Sequence, residues 1–114
     1  MMKKYVVKRP WGGFERFTLN EKSSVKILTI KPKQEFSLQK HKKRKEFWIF
    51  LDNPAKVIVG NKTIRVKKGD KVIIKKGQEH RITAFSKTVH VLEISSGKFD
   101  EKDIVRLKDK YGRA

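Results

Sequence analysis

Short apolar runs separated by turn residues fill most of this chain. VKILTI (25–30), EFSLQKH (35–41), EFWIFL (46–51), AKVIV (55–59), KTIRVK (62–67), KVIIK (71–75), HRITAF (80–85) and TVHVLEIS (88–95) follow one another at nearly regular spacing. Pro32, Asp52-Asn53-Pro54, Gly60-Asn61, Lys68-Gly69-Asp70 and Gly77 punctuate them. Each is a turn signal with a backbone reason, a fixed φ at Pro or easy access to left-handed φ at Gly and Asn. Nothing between 25 and 95 shows the 3.6-residue period of a helix, so the pattern predicts an all-β barrel or sandwich. Upstream, YVVK (5–8) predicts a first short strand and GFERFTL (13–19) a weaker one, with a turn over Asn20 to Ser24. Pro10 and the paired Gly12-Gly13 predict irregular chain from Arg9 to Gly13. After Gly97 the charged segment FDEKDIVRLKDKYGR (99–113) predicts a short helix or irregular tail, with Asp100 or Asp103 as its cap.

Side chains alternate faces along a strand, so parity groups the chemistry. Ser37, Gln39 and His41 fall on one face, opposite Phe36 and Leu38; Glu46, Trp48 and Phe50 share another, and His80, Ile82 and Ala84 a third. In the last strand Val89, Val91 and Glu93 oppose His90, Leu92 and Ile94, and the pattern leaves the inward set open. Gln39, His41, Glu46 and His80 are potential metal ligands, and adjacent strands of a small barrel can bring such distant residues to one point. The chain has only three histidines. A single His in a strand is commonly an ordinary packed residue, and that reading stands beside the metal one.

Composition narrows the class. At 114 residues the chain is read as a single domain, 1–114, with 37% apolar residues to build one core. It has no Cys, hence no disulfide and no thiolate metal site. No apolar run has the length of a membrane span, and MMKKYVVKRP lacks the apolar core of a signal peptide, so a cytoplasmic protein with no membrane partner is expected. The net charge is +18, carried by 23 Lys and 7 Arg against 12 acids. Such a field attracts polyanions and small anions alike, which makes a nucleic-acid-binding barrel a rival reading. The Lys residues are scattered through all segments rather than massed in one block, so that rival is not favoured.

The two ligand-bearing stretches resemble the paired motifs of the cupin superfamily. In the first, Lys33 stands at the initial Gly, Gln39 and His41 at His-x-His, Glu46 at the Glu and Asn53 at the final Gly. In the second, Gly69, Lys75, Gly77, His80 and Ala84 fall in register with Gly, Pro, Gly, His and Asn. Gln-x-His within SLQKH is similar to the cupin module of type II phosphomannose isomerases, often fused to mannose-1-phosphate guanylyltransferases. That family also carries RPWG near its start and a segment like DIVRLxDxYGR at its end; here these are Arg9 to Gly12 and Asp103 to Arg113.

The resemblance implies a double-stranded β-helix of eight or more strands. It implies one divalent ion, zinc first with Mn, Co, Ni or Fe as alternatives, held by Gln39, His41, Glu46 and His80. The implied reaction interconverts mannose 6-phosphate and fructose 6-phosphate through an enediolate, which needs carbonyl polarisation and a base. Glu93, beside the family's VQSG-like stretch, is the candidate base, with a solvent-facing strand Glu as the alternative. Arg106 is a candidate for catalysis and for substrate binding; Arg9, Trp11, Lys42, Arg44, Trp48 and Tyr111 are further substrate-binding candidates. Trp11 is a pocket lid or, more in keeping with its large area, a plug on the barrel end. Lys42, Arg44 and Lys43 either bind phosphate or are exposed turn residues. Lys42, Lys43 and Phe47 replace family histidines, which leaves fewer groups to handle protons. A cupin that binds a sugar phosphate or sugar nucleotide without turnover is the second reading. A homodimer and a separate guanylyltransferase are the expected protein partners.

Overall fold

The structure, a computed structural model, describes residues 5–97 and 102–108. These form eleven strands: β1 (Tyr5–Arg9), β2 (Gly12–Arg16), β3 (Ser23–Ile30), β4 (Leu38–Lys40), β5 (Arg44–Phe50), β6 (Ala55–Val59), β7 (Lys62–Val66), β8 (Lys71–Ile74), β9 (His80–Ala84), β10 (Val89–Gly97) and β11 (Val105–Lys108). The described residues contain no helix, and none is therefore long and apolar enough to cross a membrane. All pairings are antiparallel. One sheet runs β3-β10-β5-β8, a second runs β11-β4-β9-β6-β7, and β1-β2 make a separate hairpin.

The four- and five-stranded sheets enclose the core. Trp48, Phe50, Val57, Ile82, Val89 and Val91 are fully buried there, each removing enough apolar surface to stabilise the fold by about 1.5–3 kcal/mol. The inner faces are not apolar throughout. Along β5 they read Arg44, Glu46, Trp48, Phe50; along β10 they read Val89, Val91, Glu93, Ser95, all buried. Antiparallel register sets Glu93 opposite Trp48 and Ser95 opposite Glu46. Pairing therefore matches the polar half of one strand with the polar half of the other, so the barrel is apolar at one end and polar at the other. The same register settles the orientation of β10, with Glu93 inside.

Several local expectations change. The segment expected as helix or tail contributes β11, which pairs with β4 and sets Arg106 opposite Gln39; Asp100 lies outside the described residues. The stretch from Arg9 to Gly13 is regular, with β1 running through Arg9 and Arg9 facing Gly12 across the hairpin. Gly13 permits this, because a Cβ there would lie 2.3 Å from the Val7 carbonyl oxygen. The turn expected over Asn20 to Ser24 is shorter, since Ser23 and Ser24 already belong to β3. Phe36 does not lie opposite the ligand face: it packs against the core, touching Trp48 and His80 edge-on. Strict alternation fails there because β4 begins only at Leu38.

Three turns share one geometry, with hydrogen bonds from Gln34 N to Lys31 O, Asp70 N to Lys67 O and Gln78 N to Lys75 O. The third residue of each has positive φ: Lys33 (61°), Gly69 (88°) and Gly77 (76°). Lysine thus occupies a left-handed position that favours glycine.

Candidate metal centre

His41, just past β4, meets Glu46 of β5 and His80 at the start of β9, with one ligand atom from each lying within 4.8 Å of the others. His41 Nε2 is 3.2 Å from Glu46 Oε2, and His80 Nε2 is 3.8 Å from Glu46 Oε1. All three residues are buried. Each imidazole is held from behind by a backbone carbonyl, the contact that orients metal-binding histidines. His41 Nδ1 is 2.5 Å from the Asp103 carbonyl oxygen and His80 Nδ1 is 2.9 Å from that of Gln78. A carbonyl only accepts, so both Nδ1 atoms carry the proton and both Nε2 atoms present their lone pair to the cluster. Burial lowers the pKa of both rings, that of His80 to about 4, so they are neutral at pH ~7 as ligation requires. His80 Nε2 is buried with no hydrogen-bond partner among the described residues. An orphaned nitrogen, a second imidazole and a carboxylate converging without thiolate fit a first-row divalent cation.

Gln39 lies directly across the strands from His80. It is half-buried, and its Oε1 accepts a hydrogen bond from Ser37 Oγ at 2.8 Å. Glu93 stands on β10, the strand beside β5. Trp48 Nε1 donates to Glu46 Oε1 at 3.1 Å and to Glu93 Oε1 at 3.4 Å, bridging the two carboxyl groups. Burial, and then the adjoining Glu46 carboxylate, push the Glu93 pKa up to about 7. The solvent-facing alternative for Glu93 is excluded by its burial.

The other candidates divide. Arg44 is inside, 7% exposed, hydrogen-bonded to His41 and Glu46; it is neither an exposed turn residue nor at the surface for phosphate. Trp48 is 0% exposed, so it positions the carboxyl groups and offers no open face to a substrate. Arg106 is half-buried beside Gln39. Lys42 is exposed, and its backbone N–H is held by Asp103 Oδ1 at 2.9 Å. Arg9 and Trp11 are not brought to the cluster. Their hairpin lies against the outer face of the four-stranded sheet, where Glu15 pairs with Lys71 and the intervening cavity is lined by Val6, Phe14, Phe17 and Ile49. Trp11 is 74% exposed, neither lid nor plug. Tyr111 lies outside the described residues. Phe47 is buried on that outer face against Phe17, with ring centroids 4.5 Å apart. Of the three positions that replace family histidines, 42 and 43 are exposed and 47 is buried on the outer face.

Three neighbours escape the sequence. Lys26 Nζ is 3.2 Å from Glu93 Oε2; its parity with Leu28 and Ile30 on β3 was the available signal. Ser95 Oγ is buried without a hydrogen-bond partner among the described residues. Asp103 holds the His41 ring through its carbonyl, and its carboxylate accepts from the backbone N–H groups of Lys42 and Lys43. A surface groove walled by Leu28, Ile30, Pro32, Gln34 and Phe36 contains none of the ligand atoms.

Fold and site together define a cupin, a double-stranded β-helix with a histidine–carboxylate centre at the polar end of its barrel. The chain belongs to the mannose-6-phosphate isomerase C-terminal family, whose model matches residues 1–109. The xanthan biosynthesis protein XanB of Xanthomonas campestris pv. campestris is 35% identical over 109 residues, covering 94% of this chain and 23% of that protein. A mannose-1-phosphate guanylyltransferase of Klebsiella pneumoniae is 36% identical over 107 residues, covering 92% of this chain and 23% of its own length. The chain thus spans about a quarter of these relatives. A Klebsiella pneumoniae protein with a double-stranded β-helix domain superposes with a TM-score of 0.67 at 19% identity, covering 95% of this chain and 85% of that one.

Proposed function

We propose that this chain is a metal-dependent aldose–ketose isomerase that interconverts mannose 6-phosphate and fructose 6-phosphate. The observation that carries the proposal is the convergence of His41, Glu46 and His80 beside Glu93, within a chain of the mannose-6-phosphate isomerase C-terminal family. His41, Glu46 and His80, with Gln39 across from His80, would hold one divalent ion, zinc in the first instance. When bound, such an ion supplies Lewis acidity toward a sugar carbonyl or hydroxyl oxygen.

The residues of the chain supply the rest. Isomerisation moves a proton between C1 and C2. Glu93, with its pKa near 7, is poised both to take that proton and to return it. Trp48 fixes the carboxyl group by donating to it, and Ser95 offers a buried hydroxyl on the same inner face. Lys26 and Arg106 stand beside the centre as cations for a phosphate, and Lys42 borders the ligand turn. A guanylyltransferase partner is proposed from the relatives' names alone.

A coupled assay for fructose 6-phosphate formation from mannose 6-phosphate, run with added Zn, Mn, Co and Ni, tests the proposal. Turnover in wild type with at least one metal, lost in His41→Ala and Glu93→Gln, is expected. Saturable sugar-phosphate binding without turnover under any metal would replace catalysis by the binding reading.

A further inference from the structure

Arg44 hydrogen-bonds to two atoms that a metal ion would use. Its Nη2 lies 3.1 Å from His41 Nε2 and its Nε donates to Glu46 Oε2 at 3.2 Å, with the side chain 7% exposed. Because His41 Nδ1 faces the Asp103 carbonyl, His41 Nε2 has a single lone pair to offer. That lone pair can accept from a guanidinium or ligate a cation, not both. We propose that Arg44 is an internal stand-in for the metal: it neutralises Glu46 and satisfies His41 in the metal-free protein, and it must swing out of the centre when an ion enters.

The proposal rests on the metal centre described above and adds a competition within it. Without Arg44, the metal-free barrel would bury a carboxylate and a second imidazole lone pair with no cationic partner, a costly arrangement. With Arg44 in place both groups are partnered without a metal, but each metal ion must first break two charge-assisted hydrogen bonds. The guanidinium suits this role because its planar fork reaches both atoms at once. A lysine ammonium in the same place keeps the charge but cannot span them.

The test compares wild type, Arg44→Gln and Arg44→Lys, titrating Zn²⁺ alone against a chromophoric chelator, with thermal melts of each metal-free protein. Zn²⁺ affinity is expected to rise about tenfold or more in both variants, the equivalent of one charge-assisted hydrogen bond no longer broken. The metal-free variants melt below wild type. A gain in Arg44→Gln with none in Arg44→Lys would be plain charge repulsion and would overturn the proposal, as would equal affinity in all three proteins. The wild type gives a readout that needs no variant. The Arg44 Nε–H resonance, protected in the metal-free protein, should lose protection at one equivalent of Zn²⁺; an unchanged resonance with Zn²⁺ bound also overturns the stand-in. If none of the three proteins binds Zn²⁺, the metal centre itself falls, and the competition with it.

Discussion

At Glu93, burial and the Glu46 carboxylate hold the pKa near 7, above the 4.5 of an unperturbed side chain. The folded protein therefore binds this proton more tightly than the unfolded one. The stability it contributes is complete below pH ~4.5 and is lost as pH rises through ~7. Metal-free wild type should lose up to ~3 kcal/mol from this group between pH ~5 and ~8. Glu93→Gln, which stays neutral and still accepts from Trp48, should flatten that slope and melt higher than wild type at pH ~8. Melts with chelator present check this, and a variant less stable than wild type at pH ~8 would contradict it. The ligands give a second expectation at this scale: His41→Ala and His80→Ala should each lose most of the bound metal. Elemental analysis showing equal metal in wild type and both variants would remove the assignment.

Among the elements, the turn Lys31–Gln34 repeats the geometry of the turns at Gly69 and Gly77 but places Lys33 at φ 61°. A left-handed non-glycine residue costs about 1–2 kcal/mol. Lys33→Gly should therefore stabilise the fold by about 1 kcal/mol after the extra backbone entropy of glycine is deducted, read as a higher urea midpoint at unchanged slope. A lower midpoint would show that Lys33 contributes more through its contacts than it costs in strain. Asp103, just before β11, fastens the ligand turn by three hydrogen bonds. Asp103→Ala keeps the carbonyl but loses both carboxylate contacts, and Zn²⁺ affinity should fall about 10–100-fold, the usual cost of loosening the groups that orient a ligand. Unchanged affinity would leave Asp103 a surface tie only.

These elements also show what the sequence made legible. Strands and turns from 25 to 95 were readable because alternation and turn chemistry are local. The convergence of His41, Glu46 and His80 was readable because residues able to ligate survive at motif spacing, even where turn residues such as Lys33 have changed. Asn53, at a motif glycine, has no positive φ, and its amide donates to the Thr88 carbonyl at 2.8 Å, so nothing is lost there. What escaped was non-local. Whether DIVRL forms a helix or a strand depends on the open edge of β4, some sixty residues away. Arg44 reads as a surface cation until β5 turns it inward between His41 and Glu46. The hairpin at Arg9 to Gly13 depends on a close approach between Gly13 and the Val7 carbonyl, which no local signal encodes.

Over the whole molecule, the +18 charge is distributed rather than concentrated. Lys31, Lys33, Lys67, Lys68, Lys75 and Lys76 sit in the three matching turns, while Lys42 and Lys43 follow the ligand residue His41. On the outward face of the four-stranded sheet, by contrast, β3 contributes Ser23, Val25, Ile27 and Thr29 and β10 contributes His90, Leu92, Ile94 and Ser96, so the Lys residues of that face, Lys45 on β5 and Lys71 on β8, lie beside two strands that carry none there. A phosphate backbone tracked along the surface needs a continuous basic path, and here the basic groups are interrupted by apolar strand faces. A small dianion needs only a general field and one specific place, which the proposed centre with Lys26 and Arg106 would offer. Nucleic-acid binding should therefore be weak at ~0.15 M salt, falling steeply with added salt and indifferent to His41→Ala, because that change removes no phosphate-neutralising cation. Sugar-phosphate binding in the presence of Zn²⁺ should instead be lost in His41→Ala and weakened several-fold in Lys26→Met, with a gentler salt dependence. Both are measurable on one protein preparation, by fluorescence anisotropy with a labelled oligonucleotide and by calorimetry with mannose 6-phosphate. Tight oligonucleotide binding at ~0.15 M salt, unaltered in His41→Ala and without any sugar-phosphate heat, would overturn the isomerase proposal and make the charge, not the centre, the functional feature of the barrel.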